Sequence, residues 1–241
     1  MADSPIEQFR IKPLMEFNIG GLDLSFTNAS AFMAITVVLV LAFLGVSMRG
    51  RHLVPTRWQS MAELSYEFIA NMVRSNVGSE GRPYFPFIFS LFMFVLIGNL
   101  LGMIPYSYTF TSQIIVTFTM AIAVFVGVTV LGIVKHGFGF FKLFFPSGVP
   151  IYLAPVLVPI EIVSYFVRPV SLSVRLFANM MAGHTMMKVF GGFVVAMGVL
   201  GVAPLAMLVA LTGFEILVAF LQAYVFTILT CLYLNDAIHL H

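Results

Sequence analysis

Apolar runs, each long enough to cross a lipid bilayer, follow one another along this chain with short polar stretches between them. A spanning helix needs roughly 20 apolar residues, because a rise of 1.5 Å per residue must cover about 30 Å of hydrocarbon. The runs 29–48, 85–104, 114–134, 156–190 and 204–236 meet that length. Arg49, Arg51 and Arg57 stop the first, Pro105 ends the second, and Lys135, His136 and Lys142 follow the third. Residues 58–77 obey a different rule. Trp58, Met61, Leu64, Phe68, Ile69, Met72 and Val73 share one helical face, while Glu63, Glu67, Asn71 and Arg74 lie away from it. That periodicity predicts an amphipathic helix on the membrane surface or on a partner, not a further span. Stretch 137–155 mixes Gly137, Gly139, Pro146, Gly148, Pro150 and Pro155 with aromatics, which predicts an interfacial or re-entrant loop. Gly98 and Gly102 form a small-xxx-small spacing, read as ordinary close packing of a helix. Gly191 and Gly192 are expected to begin the turn between the last two runs.

Those last two runs are too long for upright spans. As one helix, 156–190 would measure about 52 Å. Confined to about 30 Å of hydrocarbon it would lean by roughly 55°, where ordinary spans lean about 20°. Pro159 sits near its start and Pro169 could bend its interior. The expectation is a strongly tilted hairpin; the alternative is a normal span with a non-helical end in each run. The expected architecture is an all-α integral membrane protein, one membrane domain over 1–241, with about five transmembrane helices, one interfacial helix and an external tail at 1–28.

Composition supports lipid as the solvent. The chain is 60% hydrophobic and 9% charged, with mean hydropathy +1.03, where a soluble domain carries about 25% charged residues. The net charge of +2 says little, and the basic residues are too scattered for a nucleic-acid surface. Cys231 is the one cysteine, so no internal disulfide forms, and no Cys/His spacing suits a metal. No cofactor motif is present, and the absence of a G-x-x-x-x-G-K-[ST] loop argues against ATP binding. Asp3, Glu7, Glu16 and Asp23 are unlike a secretory leader, so the first span is expected to be retained. Loop 49–82 carries five Lys or Arg and 135–155 two, against none in 105–113 or 191–203 and two in the tail. The positive-inside rule then places the N-terminus outside and the C-terminus inside.

Candidate chemistry concentrates in 156–190. At 100° per residue, Glu161, Ser164, Arg168, Ser171, Arg175 and Asn179 fall within one sector of about 80°, with His184 and Lys188 on the opposite side. Charge at membrane depth is costly and faces a partner or water. Arg175 cannot lose its proton, so it cannot relay one; it can hold a carboxylate ionised and repel passing protons. His184 is a residue type that titrates near neutrality. Glu215 lies midway along 204–236 and shares a helical face with Gln222 and Tyr233. Plainer readings stand beside these: Arg168 snorkelling to the interface, Ser164 and Ser171 bonding their own backbone, His184 and Glu215 as a structural pair, and Met180, Met181, Met186 and Met187 as core filler.

The run Pro169-Val170-Ser171-Leu172-Ser173-Val174-Arg175-Leu176-Phe177-Ala178-Asn179-Met180-Met181-Ala182-Gly183-His184 resembles the signature segment of the ATP synthase a subunit family. Gly98-Asn99-Leu100-Leu101-Gly102-Met103-Ile104-Pro105 and the stretch from Glu215 to Tyr224, with Leu221-Gln222-Ala223, match it in order and spacing. The resemblance covers about residues 29–236. It implies a proton-translocating stator of the Fo sector that forms two offset half-channels against a rotating ring of c subunits, so that proton flow drives rotation and ATP synthesis. Arg175 then takes the position of the essential ring-facing arginine, with Asn179 and Gln222 as its polar neighbours. Glu161 and Ser164 fall on the inner half-channel, and Asn99, His184 and Glu215 on the outer one. Some bacterial relatives carry Glu and His in reversed order at the last two positions; here the order is His then Glu, as in mitochondria. Implied partners are the c ring, b-type peripheral stalk subunits, lipid and protons, with ATP chemistry in other subunits. The implied location is an energy-coupling membrane, the bacterial inner membrane first and the mitochondrial inner membrane as the alternative. Two rival classes remain open: an ion-coupled secondary transporter, which would show internal repeats, and a structural membrane anchor, which would not need buried Arg, His and Glu.

Overall fold

The computed structural model describes residues 9–239 except 17, 20, 21, 24, 50–54, 105, 106, 146–151 and 153. Arg51, Pro105 and the prolines and glycine at 146–150, assigned above to boundaries and a loop, lie outside the described residues, as does part of the 1–28 tail. The helices are α1 (Asn28–Met48), α2 (Arg57–Val77), α3 (Phe85–Gly102), α4 (Ile114–His136), α5 (Ala154–Ala196) and α6 (Val202–Ile238). Five of these are long and apolar enough to cross a membrane; α2 is not among them. Large apolar side chains such as Val38, Leu41, Ile115 and Val209 stand on the outside of the bundle. Water would penalise a continuous apolar exterior of this kind, and lipid does not. The protein is an all-α integral membrane protein.

Local chemistry explains the boundaries. Thr27 caps α1 by accepting from the Ser30 N–H, and Thr56 caps α2 by accepting from the Gln59 N–H. Gly78 at φ 79° ends α2, and Gly137 at φ 56° ends α4 two residues beyond the expected stop. The stretch expected to be irregular, 137–155, begins instead with a 3₁₀ helix, Gly137–Phe144, whose Phe140 ring is buried. α3 stops at Gly102, two residues before the expected end.

The largest departure is in α5, which runs 43 residues, about 64 Å, straight through Gly191 and Gly192. Those glycines do not start the turn. A helical glycine costs only about 1 kcal/mol relative to alanine, which the packing of α5 along α6 offsets. The reversal comes at residues 197–201, where Gly198 adopts φ 55°. α6 follows with 37 residues.

α6 is the centre of the bundle and touches α2, α3, α4 and α5. Its fully buried Ala219 and Ala223 let neighbouring helices approach closely. The amphipathic α2 divides its stripe: Ile69, Met72, Val73 and Val77 are buried, while Trp58, Met61 and Leu64 face outward. Phe68 joins rings with Phe92, Phe220 and Tyr224, so the partner of this face is within the chain.

At the opposite end, the tail forms two antiparallel strand pairs that the apolar pattern did not predict: β1 (Pro13–Met15) with β4 (Phe26–Thr27), and β2 (Asn18–Ile19) with β3 (Leu22–Asp23). Gln113 Nε2 donates to Phe9 O at 2.6 Å, holding the tail against the α3–α4 connection. Gly98 and Gly102 also serve that connection and not another helix. A Cβ at Gly98 would meet the Phe110 ring at 2.4 Å, and one at Gly102 would meet Thr109 Oγ1 at 2.5 Å.

Candidate functional site

α5 carries two polar sets on different sides. Ser164, Ser171, Arg175 and Asn179 are exposed on its outer face, and Glu161 and Arg168 are half-buried. Val163, Val170 and Val174 stand exposed between them, so the stripe crosses an otherwise apolar surface. Arg168 Nη1 donates to Asp236 Oδ2 at 2.8 Å, and the guanidinium lies 5.5 Å from the Tyr165 ring and 5.1 Å from that of Tyr233. Arg175, two turns further on, has no hydrogen bond or ion pair among the described residues. It is a permanent cation presented outward from a helix long enough to span a membrane. Gln222, expected beside it, is buried on α6.

The second set is buried. His184 Nδ1 lies 3.6 Å from Glu215 Oε1, so the antiparallel α5–α6 hairpin closes the offset of about 7 Å that counting residues from the turn suggests. Gly183 makes the approach possible: a Cβ there would fall 2.6 Å from Glu215 Oε1. Glu215 is 3% exposed, and neither carboxyl oxygen has a hydrogen-bond partner. Asn99 Nδ2 donates to Ala219 O at 3.3 Å, one turn of α6 from Glu215, and its Oδ1 is also unpartnered. On the other side of the imidazole, Thr109 Oγ1 lies 3.0 Å from His184 Nε2.

His184 and Thr109 also line a cavity of about 1080 Å³ walled by the tail, the α3–α4 connection, α5 and α6. Arg10, Lys12, Asn28, Ser107, Lys188 and Thr212 contribute its polar wall. The unpartnered oxygens belong to Glu215, which faces the cavity-lining His184, and to Asn99. Buried polar groups without partners are costly unless water reaches them, so the arrangement is suited to a water-filled inlet. Along α5, Arg175 stands about 14 Å from the His184 level and about 21 Å from that of Glu161, which lies towards the other end.

Four participants were not anticipated from sequence. Thr109 belongs to a short connection rich in hydroxyl groups, a signal that was visible but unassigned. Asp236, as the counter-ion of Arg168, and the tail residues Arg10 and Lys12 become legible only once the chain is folded.

The fold and site define a multi-span helical membrane protein with an arginine, Arg175, unpaired among the described residues on an exposed face of α5, and a buried imidazole–carboxyl pair beside a polar cavity. The family described as ATP synthase A chain matches residues 30–235. A protein named ATP synthase subunit a from Paramagnetospirillum magneticum is 59% identical over 245 residues, covering 99% of each chain. One of the same name from Pelagibacter ubique is 59% identical over 245 residues, covering 100% of each, and one from Rhodospirillum rubrum is 56% identical over 239 residues, covering 99% of each. The chain belongs to the ATP synthase subunit a family.

Proposed function

We propose that this chain is the proton-conducting stator subunit of a rotary ATP synthase, working against a ring of c subunits and held by b-type stalk subunits. The observation that carries the proposal is Arg175, a cation that cannot deprotonate, without a counter-ion among the described residues, on an exposed face between two polar sets. Its complement is a carboxylate supplied by a partner. In this scheme a proton enters from the cavity, passes the Asn99, His184 and Glu215 region, and neutralises a ring carboxylate. The neutral site turns into lipid, which an ionised one would enter only at several kcal/mol. After rotation it releases its proton to the inner half-channel at Glu161 and Ser164. Arg175, flanked by Asn179 and Gln222, separates the two paths and attracts the ionised site. Each proton crossing 100 mV releases about 2.3 kcal/mol, and several such steps drive ATP chemistry in other subunits.

The same scheme places the N-terminal tail and cavity outside and the C-terminus inside, in a bacterial inner membrane. The tilt of α5 and α6 belongs to it as well: about 64 Å of helix fits about 30 Å of hydrocarbon only by leaning or by projecting beyond it. The test is ATP-driven proton pumping by the purified, reconstituted complex. Arg175→Ala abolishes pumping while the complex still assembles; pumping at the normal rate would overturn the proposal.

A further inference from the structure

One contact at the cavity has no part in the stator scheme: the hydroxyl of Thr109 against His184. Thr109 Oγ1 lies 3.0 Å from His184 Nε2 and 3.4 Å from Gly102 O. A threonine hydroxyl has one hydrogen to give, and a carbonyl can only accept. Gly102 is the last residue of α3, where carbonyls lose their intrahelical donors. Its other donor among the described residues is the Ser107 hydroxyl at 3.1 Å, but that group lies closer, at 2.7 Å, to both Leu101 O and Ile104 O and also has a single hydrogen. The Thr109 hydrogen is therefore directed to Gly102 O, and its oxygen is left to accept from His184 Nε2–H. A neutral imidazole carries one ring hydrogen, so Nδ1 is bare. Nδ1 is the nitrogen that faces Glu215 Oε1 at 3.6 Å, a gap that a small side-chain rotation closes to a hydrogen bond.

We propose that Thr109 is a positioning residue that keeps the hydrogen of neutral His184 on Nε2, so that the imidazole exchanges protons only through Nδ1, with Glu215. His184 is then a side acceptor that holds the proton of Glu215, not a link through which protons pass from cavity to carboxyl. In the step itself the O–H bond at Glu215 Oε1 breaks and an N–H bond forms at Nδ1, leaving carboxylate beside imidazolium; the reverse returns the proton. The Nε2–H remains donated to Thr109 in both states, so the ring need not flip. A relay in series would instead load Nε2, unload Nδ1 and reset the tautomer in every cycle.

The inference rests on the stator reading. Among the described residues, the other charged or titratable groups lining the cavity with His184 are Lys188 on its own helix, Arg10 and Lys12 of the tail, and Tyr108 of the α3–α4 connection. Burial pushes the Tyr108 phenol above its ordinary range, with partial relief from Gln113, so it stays neutral while the pair titrates.

The experiment is nitrogen-15 NMR of His184 in the reconstituted complex, alongside the pH profile of ATP-driven pumping. In the unmodified complex, neutral His184 should carry its hydrogen on Nε2. Thr109→Val keeps the shape and removes the acceptor; the Nδ1–H form should appear, pumping should fall about tenfold, the weight of one hydrogen bond to a group charged during part of the cycle, and the pH profile should shift. Thr109→Ser should restore all three. An Nδ1–H tautomer in the unmodified complex overturns the inference, and this measurement stands even if the valine variant fails to assemble. So does an unchanged rate and profile in Thr109→Val. Arg175→Ala, run in parallel, separates the two levels: normal pumping there removes the stator reading, whereas silence there with a normal Thr109→Val removes this inference alone.

Discussion

Arg168 and Arg175 lie two turns apart on one side of α5, yet the chain treats them in opposite ways. Arg168 is half-buried, paired with Asp236 at 2.8 Å and flanked by the rings of Tyr165 and Tyr233. Arg175 is exposed and unpaired among the described residues. The energy of a guanidinium in an apolar setting depends on its counter-charge. Arg168 has that charge inside the fold and ties the end of α6 to α5. Arg175 has its demand left open among the described residues, and on the proposed stator reading a partner's negative charge meets it. On that reading two residues of one type, with nearly the same helical phase, divide into a brace and a docking group.

The sharpest way to break this comparison is to keep the charge at 175 and change its shape. Arg175→Lys should reduce ATP-driven pumping to background, because an ammonium lacks the planar fork that holds a carboxylate at two points. Proton uptake by vesicles containing the purified complex measures it, and half of the normal rate or more would mean that charge alone suffices. Next in size is Glu215→Gln, which removes the buried acid facing His184. Pumping should slow several-fold and its pH dependence should change, without the leak expected when Arg175 is lost; an identical rate and profile would leave Glu215 a structural partner. Smaller again is Gly183→Ala. Its methyl group would meet Glu215 Oε1 at 2.6 Å, so the carboxyl must move from His184. Pumping should fall by less than in Glu215→Gln, and full activity would show that the pair has room to shift.

The residues show why some of this was legible and some was not. Span number came through because apolar length is a one-dimensional signal, and Arg175, His184 and Glu215 stood out as candidates because isolated charge in an apolar run is another. The proximity of His184 to Glu215 followed from a short turn joining two long helices. The turn itself was misplaced because a helical glycine costs only about 1 kcal/mol relative to alanine, which the packing of α5 along α6 offsets. Gln222, placed beside Arg175 by its position in a motif, is buried on α6, a burial that the motif alone does not announce. The Arg168–Asp236 pair joins residues 68 apart in sequence, while the strands of the tail and the seating of Phe110 and Thr109 on Gly98 and Gly102 are short-range contacts between stretches without apolar periodicity. No local pattern announces such contacts.

The smallest expected effect tests the brace. In Asp236→Asn, Arg168 loses its ion pair but keeps both aromatic neighbours and a neutral acceptor oxygen. The carboxylate is 37% exposed and the guanidinium 23%, so solvent screens the pair and its contribution is about 1 kcal/mol or less. Contact with the two rings is worth about 0.5–1 kcal/mol each at sites open to water, and the substitution leaves that in place. Thermal dissociation of the reconstituted complex should therefore shift by a few degrees at most, and pumping should stay close to normal, with no leak. Arg168→Ala, which removes the ring contacts together with the ion pair, should lower thermal stability more than Asp236→Asn while still pumping. If instead Asp236→Asn silences pumping as completely as Arg175→Ala, then Arg168 acts on the proton path, and the division of the two arginines into brace and docking group fails.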